Sequence, residues 1–167
     1  MKKALILTAA GCFCSTFNLV LFGINFLPDW LGYLLFALGI TLVERGTAGK
    51  PDNPSYLAWT LAIVELVMLV LTPTGFFASA ISGLFAIAEV LTYILAVGPV
   101  SAAAGIDLER QRHTLSVLGT VSALGYVITL AWQIGLLGIL TILVGVAMKL
   151  YFLLAILGPA LRALSEK

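Results

Sequence analysis

Apolar residues follow one another in runs long enough to cross a lipid bilayer, and this feature limits what the chain can fold into. A membrane-spanning helix needs about 20 mostly apolar residues. Only 10% of the 167 residues are charged and 61% are hydrophobic, whereas a soluble domain carries about a quarter charged residues. We therefore predict an all-α, polytopic integral membrane protein that forms one domain over residues 1–167.

Six apolar segments are expected to form transmembrane helices. The segments are Ala4–Phe26, Trp30–Val43, Tyr56–Leu71, Gly75–Val100, Thr114–Trp132 and Gly135–Leu161. The connections after the second and fourth segments are long and charged, whereas those after the first, third and fifth are short and nearly uncharged. This alternation predicts a six-helix bundle.

The distribution of positive charge predicts the orientation of that bundle. In the six-span interpretation eight basic residues fall on one side of the membrane and none on the other: Lys2, Lys3, Arg45, Lys50, Arg110, Arg112, Arg162 and Lys167. The remaining basic residue, Lys149, lies within the sixth span. Because cytoplasmic loops carry an excess of Lys and Arg, we expect a multi-pass protein of the cell membrane with both termini in the cytoplasm.

The N-terminus has a second interpretation. MKKALILTAAGC has a basic start, a short apolar run and small residues before Cys12, as a bacterial lipoprotein signal does. However, Ala9 stands where that signal prefers Leu, and the apolar run continues beyond Cys12. We therefore expect this segment to be retained as the first helix. Cys12 and Cys14 are two residues apart, so on a helix they point in different directions and are not expected to form a redox or metal pair.

The first connection combines residues that begin a helix. Pro28 cannot donate a backbone hydrogen bond, and Asp29 is expected to cap the second helix, where a carboxylate also suits the helix dipole. The second span, Trp30–Val43, would be only about 21 Å long at 1.5 Å per residue, against about 30 Å of hydrocarbon. Either the bilayer thins there, or the turn dips below the outer surface, where protein or water must cover it.

The stretch INFLPDWLGYLLFALGITLVE resembles a pattern in small, uncharacterised multi-span bacterial membrane proteins, which carry N-(I/L)-L-P-D-(F/W)-(I/L)-G-Y between their first two helices. The matching residues are Asn25, Leu27, Pro28, Asp29, Trp30, Leu31, Gly32 and Tyr33. Phe26 departs from the pattern. The resemblance implies a multi-span topology in a bacterial inner membrane and brings no activity with it.

A repeat of 60 residues relates three parts of the chain. Gly-Pro occurs twice at this offset, and an ionisable residue stands nine positions before each of these glycines, namely Glu89 and Lys149. A further step of 60 leads from Glu89 to Asp29, and from Tyr93 to Tyr33. The pattern predicts three helical hairpins around an axis along the membrane normal, as in parallel-repeat transporters. Such packing would bring the three ionisable residues together.

Ionisable residues within the spans define the candidate site. Glu65, Glu89 and Lys149 lie inside predicted helices, and each would cost about 2.5–3.5 kcal/mol in lipid on insertion scales. They are therefore expected to face the interior of the bundle, with polar neighbours on the same helix faces. The predicted intramembrane polar centre consists of Asp29, Glu65, Glu89, Lys149, Tyr93 and Asn18.

Three interpretations of this centre stay open. Glu89 and Lys149 could form a buried ion pair that fixes helix register, or line a polar cavity in which a carboxylate titrates or a solute binds. Alternatively, Lys149 could extend to water. In either buried arrangement the pair is predicted to lie within about 4 Å or to share one cavity. Because three acids face one lysine, at least one acid is expected to lack a cationic partner, and burial favours its protonated form.

Enzymatic function is not expected. The single histidine, His113, lies in a basic loop, and there is no HExxH motif, Gly-rich phosphate loop or nucleophile elbow. No cofactor or metal site is expected, and a net charge of +1 argues against nucleic acid as a partner.

Two functions remain. The first is a small transporter or channel that moves a small solute or protons through the polar centre. The alternative is a non-catalytic membrane subunit, accessory or substrate-binding, of a larger complex. The expected partners are the lipid bilayer and either other membrane subunits or further copies of the chain.

Overall fold

The protein is helical along almost all of the described chain. The computed structural model describes residues 1–17, 20–21, 24–25, 29–47, 54–71, 74–132 and 135–166. The helices are α1 (Lys2–Thr16), α2 (Asp29–Gly46), α3 (Pro54–Leu71), α4 (Gly75–Ala104), α5 (Glu109–Trp132), α6 (Gly135–Tyr151) and α7 (Gly158–Ala163). Two short strands, β1 (Val20–Leu21) and β2 (Ile24–Asn25), pair antiparallel between α1 and α2.

Four helices among the described residues are long and apolar enough to cross a membrane: Pro54–Leu71, Phe77–Ala104, Glu109–Trp132 and Gly135–Ala163. In each of them fewer than a third of the residues of the most apolar stretch are buried inside the protein. Large apolar side chains such as Val70, Phe77 and Leu136 are more than 70% exposed. A surface of this extent and composition suits lipid rather than water, so the protein is a multi-pass membrane protein.

The first helix is shorter than the sequence predicts. A helix over Ala4–Phe26 was the expectation, but α1 ends at Thr16 and the chain continues into the strands. Hydropathy does not distinguish an apolar helix from an apolar strand, and the β-branched Val20 and Ile24 favour extended backbone. In addition, the Thr16 hydroxyl donates to the carbonyl oxygen of Cys12, which offers the last turn an alternative to further helical bonds.

The second helix begins close to the predicted position. It starts at Asp29, so the carboxylate stands in the first turn, where it suits the helix dipole. Pro28 lies outside the described residues. With 18 residues, α2 is about 27 Å long, which is still less than the hydrocarbon thickness.

The two ends of the bundle differ in how many helices reach them. The terminal end is defined by Met1, Gly46, Pro54, Ala104 and Ala163, and the far end by Leu71, Gly75, Trp132 and Gly135. The helices from α3 onward connect these ends in alternating directions. In contrast, α1 starts at the terminal end, where the Met1 side chain contacts Gly46, and ends beside Lys149 in the middle of the bundle. The first helical pair thus occupies only part of the bundle's length.

Glycines allow α1 and α2 to pack backbone against backbone. A Cβ atom at Gly11 would lie 2.6 Å from the Cα of Phe36, and one at Gly39 would lie 2.5 Å from the amide nitrogen of Thr8. Small residues permit this kind of close approach between membrane helices. The two helices therefore form one unit, hereafter the α1–α2 unit.

Aromatic side chains fill the middle of the bundle. The rings of Phe36, Tyr93 and Phe152 lie 5.0–5.8 Å apart, centroid to centroid, and all three residues are at most 2% exposed. They join α2, α4 and the last helix in one cluster, hereafter the aromatic cluster. From there to the terminal end the core is closely packed with buried residues such as Val97 and Ile156.

The last membrane helix changes its winding below Lys149. Residues Phe152–Leu157 form a π-helical turn between α6 and α7. Pro159 has no backbone N–H and cannot bond the carbonyl of Ala155, as an α-helix requires. The amide of Gly158 instead donates to the carbonyl of Leu153, one residue further back than in an α-helix. Single π turns of this kind often occur near functional sites.

Replacing Gly39 by Val tests the close packing of the α1–α2 unit. The added side chain would overlap Thr8, and overpacking of this kind typically costs about 1–3 kcal/mol. We therefore expect Gly39→Val to lower the melting temperature of the purified protein. Gly98→Ala is the matched control, because a Cβ there meets no atom within 4 Å and Ala favours a helix by about 1 kcal/mol over Gly. Equal melting temperatures for the two variants would contradict the backbone contact.

Candidate functional site

A buried ion pair lies at the centre of the candidate site. The Nζ atom of Lys149 lies 2.7 Å from Oε1 of Glu89, and the two side chains are 13% and 16% exposed. The Tyr33 hydroxyl donates a hydrogen bond to the same carboxylate oxygen. The pair thus lies within the distance that the sequence pattern predicts, and Lys149 does not extend to water.

Matching positions on parallel helices bring the pair together. Each residue lies 14 positions after the first residue of its helix, Gly75 for α4 and Gly135 for α6. Because both helices run from the far end toward the terminal end, equal spacing places the two side chains at equal depth. Asp29 instead begins its helix, but it lies 17 residues before the end of α2. This distance from the terminal end is comparable to that of Glu89, which lies 15 residues before the end of α4.

The C-terminal end of α1 gives Lys149 a second acceptor. The Lys149 ammonium donates to the carbonyl oxygen of Ser15 at 2.9 Å. The last carbonyls of a helix lack partners within it and carry partial negative charge, so a cation is well placed there. The ammonium also lies 5.6 Å from the centre of the Tyr33 ring, within the range of a cation–π interaction. Lys149 is therefore held by groups from α1, α2 and α4.

Hydroxyl groups extend the polar centre toward the aromatic cluster. The Tyr93 hydroxyl and the Ser15 hydroxyl lie 3.1 Å apart and share a hydrogen bond. Tyr93 is 1% exposed, which agrees with its predicted interior position. Tyr33 and Ser15 were not among the predicted site residues. The repeat contained a signal for Tyr33, since a step of 60 relates it to Tyr93.

A cavity of about 350 Å³ lies between the ion pair and the far end of the bundle. This volume is within the range of small-molecule sites, roughly 300–1,000 Å³. Its polar lining comes from five helices and consists of Thr16, Glu65, Ser82, Glu89, Ser122, Tyr126, Thr141 and Lys149. Most of the other lining residues are apolar. The ion pair thus faces a cavity on one side and the closely packed aromatic cluster on the other.

Glu65 contributes a second carboxyl group to this cavity. It lies on α3 and is half-buried. Among the described residues no basic side chain lies within 4 Å of its carboxylate. At longer range it interacts electrostatically with Asp29, Glu89 and Lys149. The structure therefore brings four of the predicted site residues into one electrostatic group.

Of the predicted site residues that the structure describes, Asp29 and Tyr93 do not line the cavity. Asp29 is half-buried at the start of α2, near enough to Glu65 for an electrostatic interaction. Asn18 lies outside the described residues. In the described part of the chain no three or more His, Cys, Asp or Glu side chains are grouped so that they could hold a metal ion.

The α1–α2 unit lies between the two helices that border the cavity on one side, since α2 packs on α3 and α1 packs on α6. Both of these outer helices contribute to the cavity lining, α3 through Glu65 and Met68, and α6 through Ile142 and Val146.

The fold and the site together define a class: a multi-pass membrane protein with a buried, charged centre beside a cavity. Comparison of the chain with protein-family models, with curated proteins and with solved structures finds no match.

A double-mutant cycle tests the coupling of Glu89 to Lys149. Removing one partner of a buried pair typically costs about 3–5 kcal/mol, because the other charge is left without compensation. We expect Lys149→Ala to lower the melting temperature in detergent more than the double variant with Glu89→Ala. Arg112→Ala is the control, since the exposed pair Arg112–Glu109, at 3.9 Å, is worth about 0–1 kcal/mol. Additive effects of the two site substitutions would show that these residues are not coupled.

Proposed function

We propose that this chain is a small transport protein of the cell membrane, a carrier or a channel, which moves a small solute or protons through the polar centre. The observation that carries the proposal is the cavity that has the Glu89–Lys149 pair at its base. A pair that served helix register alone would need no cavity beside it. The proposal assigns no enzymatic activity and no cofactor.

The energetics of buried charge support this proposal. Ionisable residues within membrane spans are expensive and usually mark the pathway of an ion, a proton or a solute. Here Glu65, Glu89 and Lys149 all reach one cavity. Ionisation of both acids would leave this group with a net negative charge, which a bound cation or proton would neutralise.

The interrupted first helix also supports transport. Transporters commonly build their sites from helices that end inside the membrane, with free carbonyl groups at the site. α1 ends at Thr16 beside the polar centre, and the carbonyl of Ser15 binds the Lys149 ammonium. The cavity lies toward the far end, whereas the aromatic cluster fills the path toward the terminal end. This arrangement is that of a site with access from one side.

The proposed topology has six membrane segments. The α1–α2 unit supplies the first two, although α1 is short, and the four apolar spans supply the others. Among the described residues the basic side chains outside the cavity, such as Arg45, Arg110 and Arg162, lie near the terminal end. By the positive-inside rule we place this end and both termini in the cytoplasm, so the cavity faces the outside.

A non-catalytic subunit of a larger membrane complex is the second candidate function. α5 is the least buried of the four apolar spans and exposes Val117, Val121 and Leu124 along one face. Such a face suits lipid or a partner subunit. A subunit that acts only within a complex would give no flux on its own.

Thiol labelling in intact cells tests both the topology and the cavity. Cys12 and Cys14 are first replaced by Ala, and single cysteines are then introduced at Thr74, Ser122 and Ser165. A membrane-impermeant methanethiosulfonate reagent is expected to modify the cysteine at 74 at the far end and the one at 122 in the cavity. The cysteine at 165 should react only after the cells are permeabilised. Labelling of 165 in intact cells would overturn the orientation.

Proton flux into liposomes tests the transport function directly. The purified protein is reconstituted with a pH-sensitive dye inside, and a potassium gradient with valinomycin drives proton entry. We expect entry above that of protein-free liposomes. Replacing Glu65 and Glu89 by Gln should reduce it to background, because no carboxyl group of the cavity could then exchange a proton. Arg112→Ala should leave it unchanged. Absence of flux, together with an unreactive cysteine at 122, would favour the subunit.

A further inference from the structure

Lys149 and Glu65 differ in whether a group of opposite charge lies beside them. The Lys149 ammonium donates to Oε1 of Glu89 and to the carbonyl of Ser15, so its charge is largely neutralised where it stands. Glu65 also faces the cavity and has no basic group within 4 Å among the described residues. When Glu65 is ionised, the remaining charge among the described lining residues is therefore negative, and its position is Glu65.

The cavity lining also includes aromatic side chains. Phe85 and Tyr126 belong to it, as does Met68, three residues after Glu65 on α3. The Phe85 ring packs on Tyr33 with centroids 5.3 Å apart and the ring planes nearly perpendicular. Aromatic faces attract cations, and more strongly when water is excluded. The lining thus combines a negative charge with the surfaces that organic cations prefer.

Most of the remaining cavity lining is apolar and includes Ile142 and Val146 on α6. An inorganic cation at Glu65 would make no favourable contact with these side chains. A cation with an apolar portion would bury that portion against them, which removes apolar surface from water.

We propose that the cavity binds a small amphiphilic organic cation, an ammonium group on a short apolar chain. The ammonium group lies at Glu65 and against the rings of Phe85 and Tyr126, and the chain lies against the apolar lining residues Ile142 and Val146. This inference rests on the proposed transport function and deepens it, since it names the class of solute. The Glu89–Lys149 pair forms the base of the site and excludes a second cation from that position.

Binding of butylammonium to the purified protein in detergent, measured by isothermal titration calorimetry, tests the site. Butanol and butanoate are the matched probes, because they share the chain but are neutral or anionic. We expect saturable binding of butylammonium at least tenfold tighter than that of either probe. Glu65→Gln should weaken butylammonium binding at least tenfold, and Glu109→Gln, a surface substitution, should leave it unchanged.

A second variant keeps the test decisive if Glu65→Gln does not fold. Phe85→Leu retains an apolar side chain but removes the ring, and should weaken butylammonium about threefold or more without weakening butanol. Equal affinities for butylammonium and butanoate, or unchanged affinity in Glu65→Gln, would overturn the site.

The outcome for the site is separable from the outcome for transport. Butylammonium binding without any flux would leave the site standing and remove the transport function. Proton flux without butylammonium binding would leave transport standing and overturn the site.

Discussion

The fold depends on a charge that cannot be left alone in a membrane. An isolated lysine in the hydrocarbon is costly, and here its ammonium is held by a carboxylate from α4, a helix-end carbonyl from α1 and an aromatic ring from α2. Each of these groups fixes the position of a different helix relative to α6. The position of Lys149 therefore determines how the α1–α2 unit sits against the longer helices.

The α1–α2 unit touches the polar centre at two points. Ser15 contributes a carbonyl to Lys149 and a hydroxyl to Tyr93, while Tyr33 binds Glu89. Because glycines hold α1 and α2 closely together, a change in either contact acts on both helices. The charge state of one ion pair is thus connected mechanically to a whole helical hairpin. Carriers need a connection of this kind between occupancy and helix position.

Some of this arrangement is visible in the sequence, for identifiable reasons. The long apolar runs indicate a membrane protein because lipid requires them, and the spacing of Glu89 and Lys149 predicts their contact because parallel helices place equal spacings at equal depth. The end of α1 cannot be predicted from the sequence, since hydropathy measures the preference of a residue for an apolar environment and not its backbone hydrogen bonds. Ser15 was missed because Ser and Thr hydroxyls in apolar helices usually bond locally. Thr8, for example, donates to the carbonyl of Ala4 in its own helix. Tyr33 was missed although the 60-residue repeat relates it to Tyr93.

The π-helical turn at Phe152–Leu157 affects the direction in which the side chains of the last helix face. Such a turn contains one residue more than the α-helical turn it replaces, and one residue corresponds to a rotation of about 100° around the helix axis. The segment before the turn and the segment after it are therefore rotated relative to each other. Since α7 is anchored by the buried Ala160, this rotation sets the azimuth of Lys149 toward Glu89. The extra residue in this one turn thus decides which side of the helix presents its buried charge.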